Sequence, residues 1–392
     1  MNRVAIDMSP IVHGSRAVKR CTACMTSELL KHEDINFDLL YFDHRHQISK
    51  YLSPLERHVK ENVIRVPQRL LIPLWKRFSW PHLEMLVPDE CDLFYVNEFY
   101  FPPTKNALVL ATIHGLSYRV IPEKIPSQSV RSCCRGLSFI QKHADYLIAV
   151  SETTKEELIR YVGVAPERIY VITHGVDKEF RQLTDGEAVR GGLRDRYGLK
   201  RPYILYVGAI ATHKNVMGIL AAYKMVAAKT PHDLVMVGPP DTAWNQAHRF
   251  VKERGLSGRV RFLGTVDQAG DSLLNLYNGA DLFVFPSFYE GWTSPPLEAM
   301  ACGIPVITSN CSSLPETVGD AALKIDPDDP EALAHQMGRI LFDNTLRTQL
   351  VKGGLDHVSS HTWDKAAKRL TNVFADVQAK GPWRGKDNEG SH

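Results

Sequence analysis

The feature that most constrains this chain is an alternation running along its whole length, in which short apolar runs are each followed by an amphipathic stretch. That pattern belongs to parallel sheets covered by helices, because strands buried on both faces read as continuous apolar runs. In the first half the runs at 4–7, 37–42, 93–97, 108–114, 146–150 and 169–173 are predicted strands. The stretch after Val150 is a marked helix. Ser151 or Thr153 can cap it, Glu156 stands three residues after Thr153 as in a capping box, and Gly163 ends it. The pattern then starts afresh, with strands expected at 203–207, 234–237, 260–263, 282–285, 305–308 and 323–325.

Between the two series lies His174-Gly-Val-Asp177 and a polar stretch to about Gly192, which places the domain boundary there. A length of 392 residues exceeds what one core usually serves and fits two domains. The expected division is 1–178, 179–362, a helix over 363–380 returning to the first domain, and a flexible tail over 381–392. Two such sheets joined by a hinge predict a ligand cleft at the strand C-termini.

Hydrophobic residues at 44% and charged residues at 23% exclude disordered and fibrous classes. A net charge of +3 gives no support to nucleic acid as a partner. No apolar run reaches bilayer length, and the first residues read as a strand rather than a signal peptide, so a cytoplasmic location is expected. The seven cysteines form no disulfide framework. Cys21 and Cys24 have CxxC spacing without a partner pair, and they read, like Cys133 and Cys134, as reduced thiols on helix faces.

The segment after the first strand holds one glycine, Gly14, so the dinucleotide fingerprint is missing; a GxxxxGK[ST] loop is also absent. The chemistry concentrates instead in residues 285–305 (FPSFYEGWTSPPLEAMACGIP). A strand leads into a loop, and the loop opens a helix near Pro295, since proline is tolerated in a first turn. The amides of Gly291, Trp292, Thr293 and Ser294 are thereby set beside a helix N-terminus, an arrangement suited to a diphosphate. Glu290 precedes these amides and can accept from sugar hydroxyls, and Glu298 is about one turn into the helix, where a ribose diol can reach it. Two ordinary surface acids would not need to bracket such a turn.

The Glu290-x7-Glu298 spacing, continuing into AMACGIPVI, resembles the signature of family 4 of the retaining glycosyltransferases, a group with the GT-B fold. Residues 203–215 (YILYVGAIATHKN), 144–177 and 112–116 (TIHGL) are similar to other segments of that family in the same order. The resemblance implies an acceptor-binding first domain and a donor-binding second domain, both Rossmann-like. Lys214 would neutralise the donor diphosphate, with Gly208 and His213 in the same strand-loop-helix. His114 would reach the transferred sugar, Glu290 its hydroxyls, Trp292 and Thr293 the phosphates, and Glu298 the ribose. Gly14, with Arg16 or Arg20, would form the loop beneath donor and acceptor.

This chain departs from the family pattern in three places. Ala209 and His213 stand where arginine is frequent, the loop at Gly14 has less glycine, and Gly115 replaces a common aspartate. No DxD pair follows a strand, which predicts metal independence, and Asp328-Asp329 reads as a turn. The expected substrates are a UDP- or GDP-linked hexose, with no further cofactor, and a saccharide or lipid-linked saccharide acceptor. The segments 208–215 and 112–118 resemble mannosyl- and glucosyl-transferring relatives.

Residues 45–82 carry eight Lys/Arg against two Glu, with Trp75, Phe78 and Trp80 beside Lys76-Arg77. That composition suits either peripheral contact with anionic lipid at the inner membrane face or a solvated helix with core aromatics. Competing functions are an epimerase or hydrolase on the same scaffold, and a catalytically silent binding subunit.

Overall fold

The structure is a computed structural model that describes residues 3–43, 59–87, 89–266 and 272–383. The chain forms two compact units. One comprises Met1–Pro122, Pro126–Gly175 and Trp363–His392; the other comprises Glu123–Ile125 and Val176–Thr362.

The first unit is built on a seven-stranded sheet: β1 (Arg3–Asp7), β2 (Asn36–Phe42), β3 (Lys60–Ile64), β4 (Leu93–Val96), β5 (Leu108–Ile113), β6 (Tyr146–Ala149) and β7 (Ile169–Val171). The strand order is β3-β2-β1-β4-β5-β6-β7 and every pairing is parallel. Apolar residues fill both faces of it. The C-terminal helix Trp363–Lys380 packs on the helix Arg16–Leu29, burying Trp363, Leu370, Phe374 and Val377.

Strand β3 has no counterpart among the sequence-predicted strands. It is an edge strand reading Lys-Glu-Asn-Val-Ile, mostly exposed, so it lacks the apolar run by which the interior strands declare themselves.

The second unit carries β8 (Tyr203–Val207), β9 (Asp233–Val237), β10 (Val260–Gly264), β11 (Leu282–Phe285), β12 (Val306–Ser309) and β13 (Leu323–Ile325). Their order is β10-β9-β8-β11-β12-β13, again all parallel. In both sheets the strand order reverses between two central neighbours, β1 and β4 in one, β8 and β11 in the other. Open α/β sheets bind ligands at the carboxyl ends of the strands flanking such a reversal.

Local signals account for several boundaries. Ser151 caps the helix Glu152–Val162 by accepting from the Thr154 amide, and Gly163 ends it at φ 75°. Gly238 closes β9 at φ 148°, where an added Cβ would lie 1.9 Å from the Gly208 carbonyl oxygen. Only glycine permits that approach.

The aromatic segment divides. Trp75 is a fully buried core residue set edge-on to Phe42, so it is not part of a surface, whereas Phe78 and Trp80 are exposed. Residues 45–58 of the basic stretch and 384–392 of the tail lie outside the described residues.

Candidate functional site

Beyond β8 the chain passes Gly208 and makes a 3-10 turn over Thr212–Lys214. Asn215 then starts the helix Val216–Val226. It adopts φ 57°, its side-chain oxygen accepts from the Gly218 amide, and its Nδ2 donates to the Pro327 carbonyl at 2.6 Å. Asparagine tolerates this left-handed conformation better than most residues. Asn215 therefore fixes the position from which Lys214 projects. The Phe288 amide donates to the His213 carbonyl at 2.9 Å, tying this turn to the loop that follows β11.

That tie brings Lys214 against Glu290. The ammonium donates to both carboxylate oxygens, at 2.6 and 2.8 Å, and the side chains are only 18% and 9% exposed. Lys214 also stands 5.3 Å from the centre of the Phe285 ring. The cation expected to meet a diphosphate thus sits on the carboxylate expected to meet the sugar. Charge-assisted bonds of this kind hold a side chain in one place.

The Glu290 backbone is clamped in turn. Its amide donates to Ser312 Oγ at 2.9 Å, and its carbonyl accepts from the hydroxyls of Ser312 and Ser313. After it, the amides of Trp292 and Thr293 have no hydrogen-bond partner among the described residues, and neither does the buried Trp292 Nε1. Buried or half-buried donors left open in this way are costly unless something accepts from them. Ser294 precedes the short helix Pro295–Ala301, and its carbonyl accepts from the Glu298 amide. Glu298 is 2% exposed, and Tyr277 Oη donates to its Oε2 at 2.8 Å.

Lys214, His213, Glu290, Gly291, Trp292, Thr293, Ser294 and Glu298 accordingly lie at the ends of neighbouring strands β8 and β11 and in the segments directly following them. Burial first, then the Lys214 charge, push His213 below its ordinary pKa, while Glu290 and Asp241 pull the other way. His213 is therefore uncharged at neutral pH in this state, which weighs against its replacing an arginine as a standing positive charge.

In the first unit, His114 follows β5 directly, with its Nε2 buried and unpartnered. Burial pushes its pKa down to about 4. Gly115 adopts φ 125°, a conformation that accounts for glycine at this place. His174 lies beside it, ring centres 5.7 Å apart, stacked on Trp363 and with Nδ1 3.1 Å from Cys21 Sγ. Burial and the neighbouring His114 take it down to about 3. Gly14 ends the helix Ser9–His13 with its amide on the Pro10 carbonyl, and Arg20 is half-buried in the next helix. None of the seven cysteines is in a disulfide, and Asp329 caps the helix Pro330–Phe342.

Sequence reading missed Asn215, Tyr277, Ser312 and Ser313. Asn215 carried a signal, as an asparagine opening an apolar helix. The others meet the site from distant parts of the chain, 21 to 23 positions from the glutamate each one touches, with no local pattern to mark them.

Comparison with known proteins gives concordant results. Residues 194–357 match the family described as Glycosyl transferases group 1, and residues 26–180 match Glycosyltransferase Family 4. The chain is 30% identical over 313 residues to O-antigen chain mannosyltransferase B of Escherichia coli, covering 78% of each. Among solved structures it resembles sucrose-phosphate synthase from Thermosynechococcus elongatus, with TM-score 0.73 and 22% identity over 97% of this chain and 100% of that one. A similar match is Anabaena HepE in complex with UDP-glucose, with TM-score 0.73 and 15% identity over 96% of this chain and 100% of that one.

Proposed function

Because the chain belongs to family 4 of the glycosyltransferases and has the two parallel-sheet units of the GT-B fold, we propose that it transfers a hexose from a nucleotide-diphosphate sugar to a saccharide acceptor, with retention, in the synthesis of a surface polysaccharide. The observation that carries this reading is the Lys214–Glu290 pair followed by the open amides of Trp292 and Thr293. A nucleotide sugar supplies the partners this arrangement lacks. Its diphosphate takes the amides and draws Lys214, which frees Glu290 for the sugar hydroxyls. Glu298, steadied by Tyr277, takes the ribose.

Charge builds on the leaving diphosphate as the sugar gains oxocarbenium character. Groups already oriented toward that charge lower the barrier without reorganisation. His114, uncharged and with a buried ring nitrogen open, serves as a hydrogen-bond partner of the transferred sugar rather than as a cation. In this reading Glu290 and Glu298 hold ligands rather than attack, and the route is front-face displacement, with the leaving phosphate taking the acceptor proton. We assign the diphosphate's countercharge to Lys214 and the amides, without a metal ion. The mannosyltransferase relative makes mannose the first donor sugar to test.

The acceptor side extends to a membrane. Among the described residues, no helix is long and apolar enough to cross one. The helix Gln68–Phe78 and the turn after it instead expose Leu70, Phe78 and Trp80 at 60%, 63% and 49%, beside exposed Arg69, Lys76 and Arg77. Apolar side chains bracketed by cations suit peripheral docking on anionic lipid, where a lipid-linked saccharide would be met. Flotation with vesicles containing anionic lipid tests this; protein that stays down at low salt contradicts it.

The donor assignment is tested by nucleotide release from a panel of UDP-, GDP- and ADP-hexoses. One donor is expected to turn over in the wild type, and turnover with none would contradict the reading.

A further inference from the structure

The reversal between β1 and β4 in the first unit has the same place in its sheet as the proposed donor site has in the second, and its polar residues have no part in that site. Ile6 stands opposite Tyr95 in the β1–β4 register, so Asp7, the last residue of β1, falls opposite Val96. Side chains alternate along a strand. Asp7 thus shares a sheet face with Val96, and Glu98 follows two residues later, just beyond the end of β4.

Asp7 is completely buried. Its Oδ1 accepts from the amide and hydroxyl of Ser9, a local turn that explains one oxygen. The other, Oδ2, is buried with no partner. Glu98 is close enough to feel the Asp7 charge, and neither carboxylate has an ion-pair partner among the described residues. On the opposite face, Asn97 Oδ1 accepts from Tyr95, and its buried Nδ2 is also left open. A purely structural turn needs only one oxygen of Asp7 and no second carboxylate beside it. Buried polar atoms without partners at a ligand-binding strand edge call for a ligand that supplies them.

We propose that Asp7 and Glu98 bind the hydroxyls of the acceptor saccharide at the carboxyl ends of β1 and β4. The ligand is an uncharged sugar ring presenting two or more hydroxyl donors. A phosphate is disfavoured there because two carboxylates with no ion-pair partner among the described residues would repel it. Burial, opposed by the Ser9 hydrogen bonds, raises the Asp7 pKa to about 6, and burial with the Asp7 charge raises Glu98 to about 7. The pair therefore accommodates a neutral ligand without carrying two full charges. The assignment rests on the glycosyltransferase reading, which makes a saccharide the second substrate.

Saturation-transfer NMR with methyl α-D-mannopyranoside, on wild type, Asp7→Asn and Glu98→Gln, tests the pair without requiring turnover. Both variants keep the side-chain size, and Asp7→Asn keeps an acceptor for Ser9. Titration with the diphosphate nucleotide that binds best serves as the control for the second unit. The expected result is probe binding to wild type, weakened about 10- to 100-fold in each variant, as for a lost hydrogen bond to a charged group, with nucleotide affinity unchanged. Equal probe binding in all three proteins, or none to wild type, would overturn the assignment. If nucleotide binding fails in wild type as well, the donor reading falls separately.

Discussion

The strand ends of the two units meet buried polarity in opposite ways. In the second unit the charges come paired: Lys214 sits on Glu290, Tyr277 on Glu298, and two serines hold the Glu290 backbone. In the first unit burial instead shifts the groups toward their neutral forms, without fully neutralising the carboxylates at pH 7. His114 and His174 are pushed down to about 4 and 3, Asp7 and Glu98 up to about 6 and 7, with Asp7 Oδ2, Asn97 Nδ2 and His114 Nε2 unpartnered. A paired site suits an anionic ligand, and one whose charge is reduced by burial suits hydroxyls. The contrast matches a nucleotide diphosphate on one side and a sugar on the other.

The comparison breaks first if the paired charges prove dispensable. Lys214→Ala and Glu290→Ala are each expected to lower transfer roughly 100- to 1,000-fold, the usual effect of removing a preorganised group from a transition-state charge. Nucleotide release measures this, with circular dichroism confirming that the variants remain folded. Full activity in both would remove the donor site from the account.

The next test concerns the unpartnered groups. His114→Ala should abolish most transfer yet leave thermal stability little changed, because no protein hydrogen bond to Nε2 is lost. A large fall in melting temperature with activity retained would make His114 a structural residue.

A smaller effect is expected at Tyr277→Phe. It removes the hydroxyl that steadies Glu298 while keeping the ring, and should raise the donor KM about 10-fold with kcat nearly unchanged. A fall in kcat alone would place Glu298 elsewhere in the reaction.

The neutralised unit also has a signature in pH. Its histidines are depressed, so their stabilisation is complete above about pH 6.5 and declines as pH falls toward their folded values. Its carboxylates are raised, so their contribution is complete below about pH 4 and is lost as pH rises through 6 to 7. Between about pH 4.5 and 6 the two trends oppose one another. Removing both carboxylates with Asp7→Asn/Glu98→Gln should expose the histidine trend. Relative to wild type, stability from urea titrations should then rise with pH more steeply, by about 1.4 kcal/mol per pH unit for each carboxylate removed. An identical slope in both proteins would show that the carboxylates titrate normally. The smallest effect is a null one: EDTA should leave transfer unchanged, and a loss restored by Mg²⁺ or Mn²⁺ would contradict the metal-free assignment.

The same contrast explains what the sequence disclosed. The loop we assign to the donor is contiguous, so Glu290, the amides after it and Glu298 can be read from one segment, with Lys214 added through the resemblance. Twelve of the strands announce themselves as apolar runs, nine of them because they lie inside parallel sheets, while the polar edge strand β3 does not. Asp7 and Glu98 are 91 positions apart and meet only because β1 and β4 are neighbours. Tyr277 and the serines are likewise assembled by the fold. Trp75 and Trp80 look alike in sequence, and only packing separates the core residue from the exposed one.

The most direct test of the central claim, that the Lys214–Glu290 site holds a donor diphosphate, is calorimetric titration of UDP, GDP and ADP into wild type and Lys214→Ala. The account predicts that one nucleotide binds wild type and binds Lys214→Ala at least 10-fold more weakly, by the loss of a charge-assisted contact. Equal affinity for the two proteins, or no binding of any nucleotide to wild type, would contradict it.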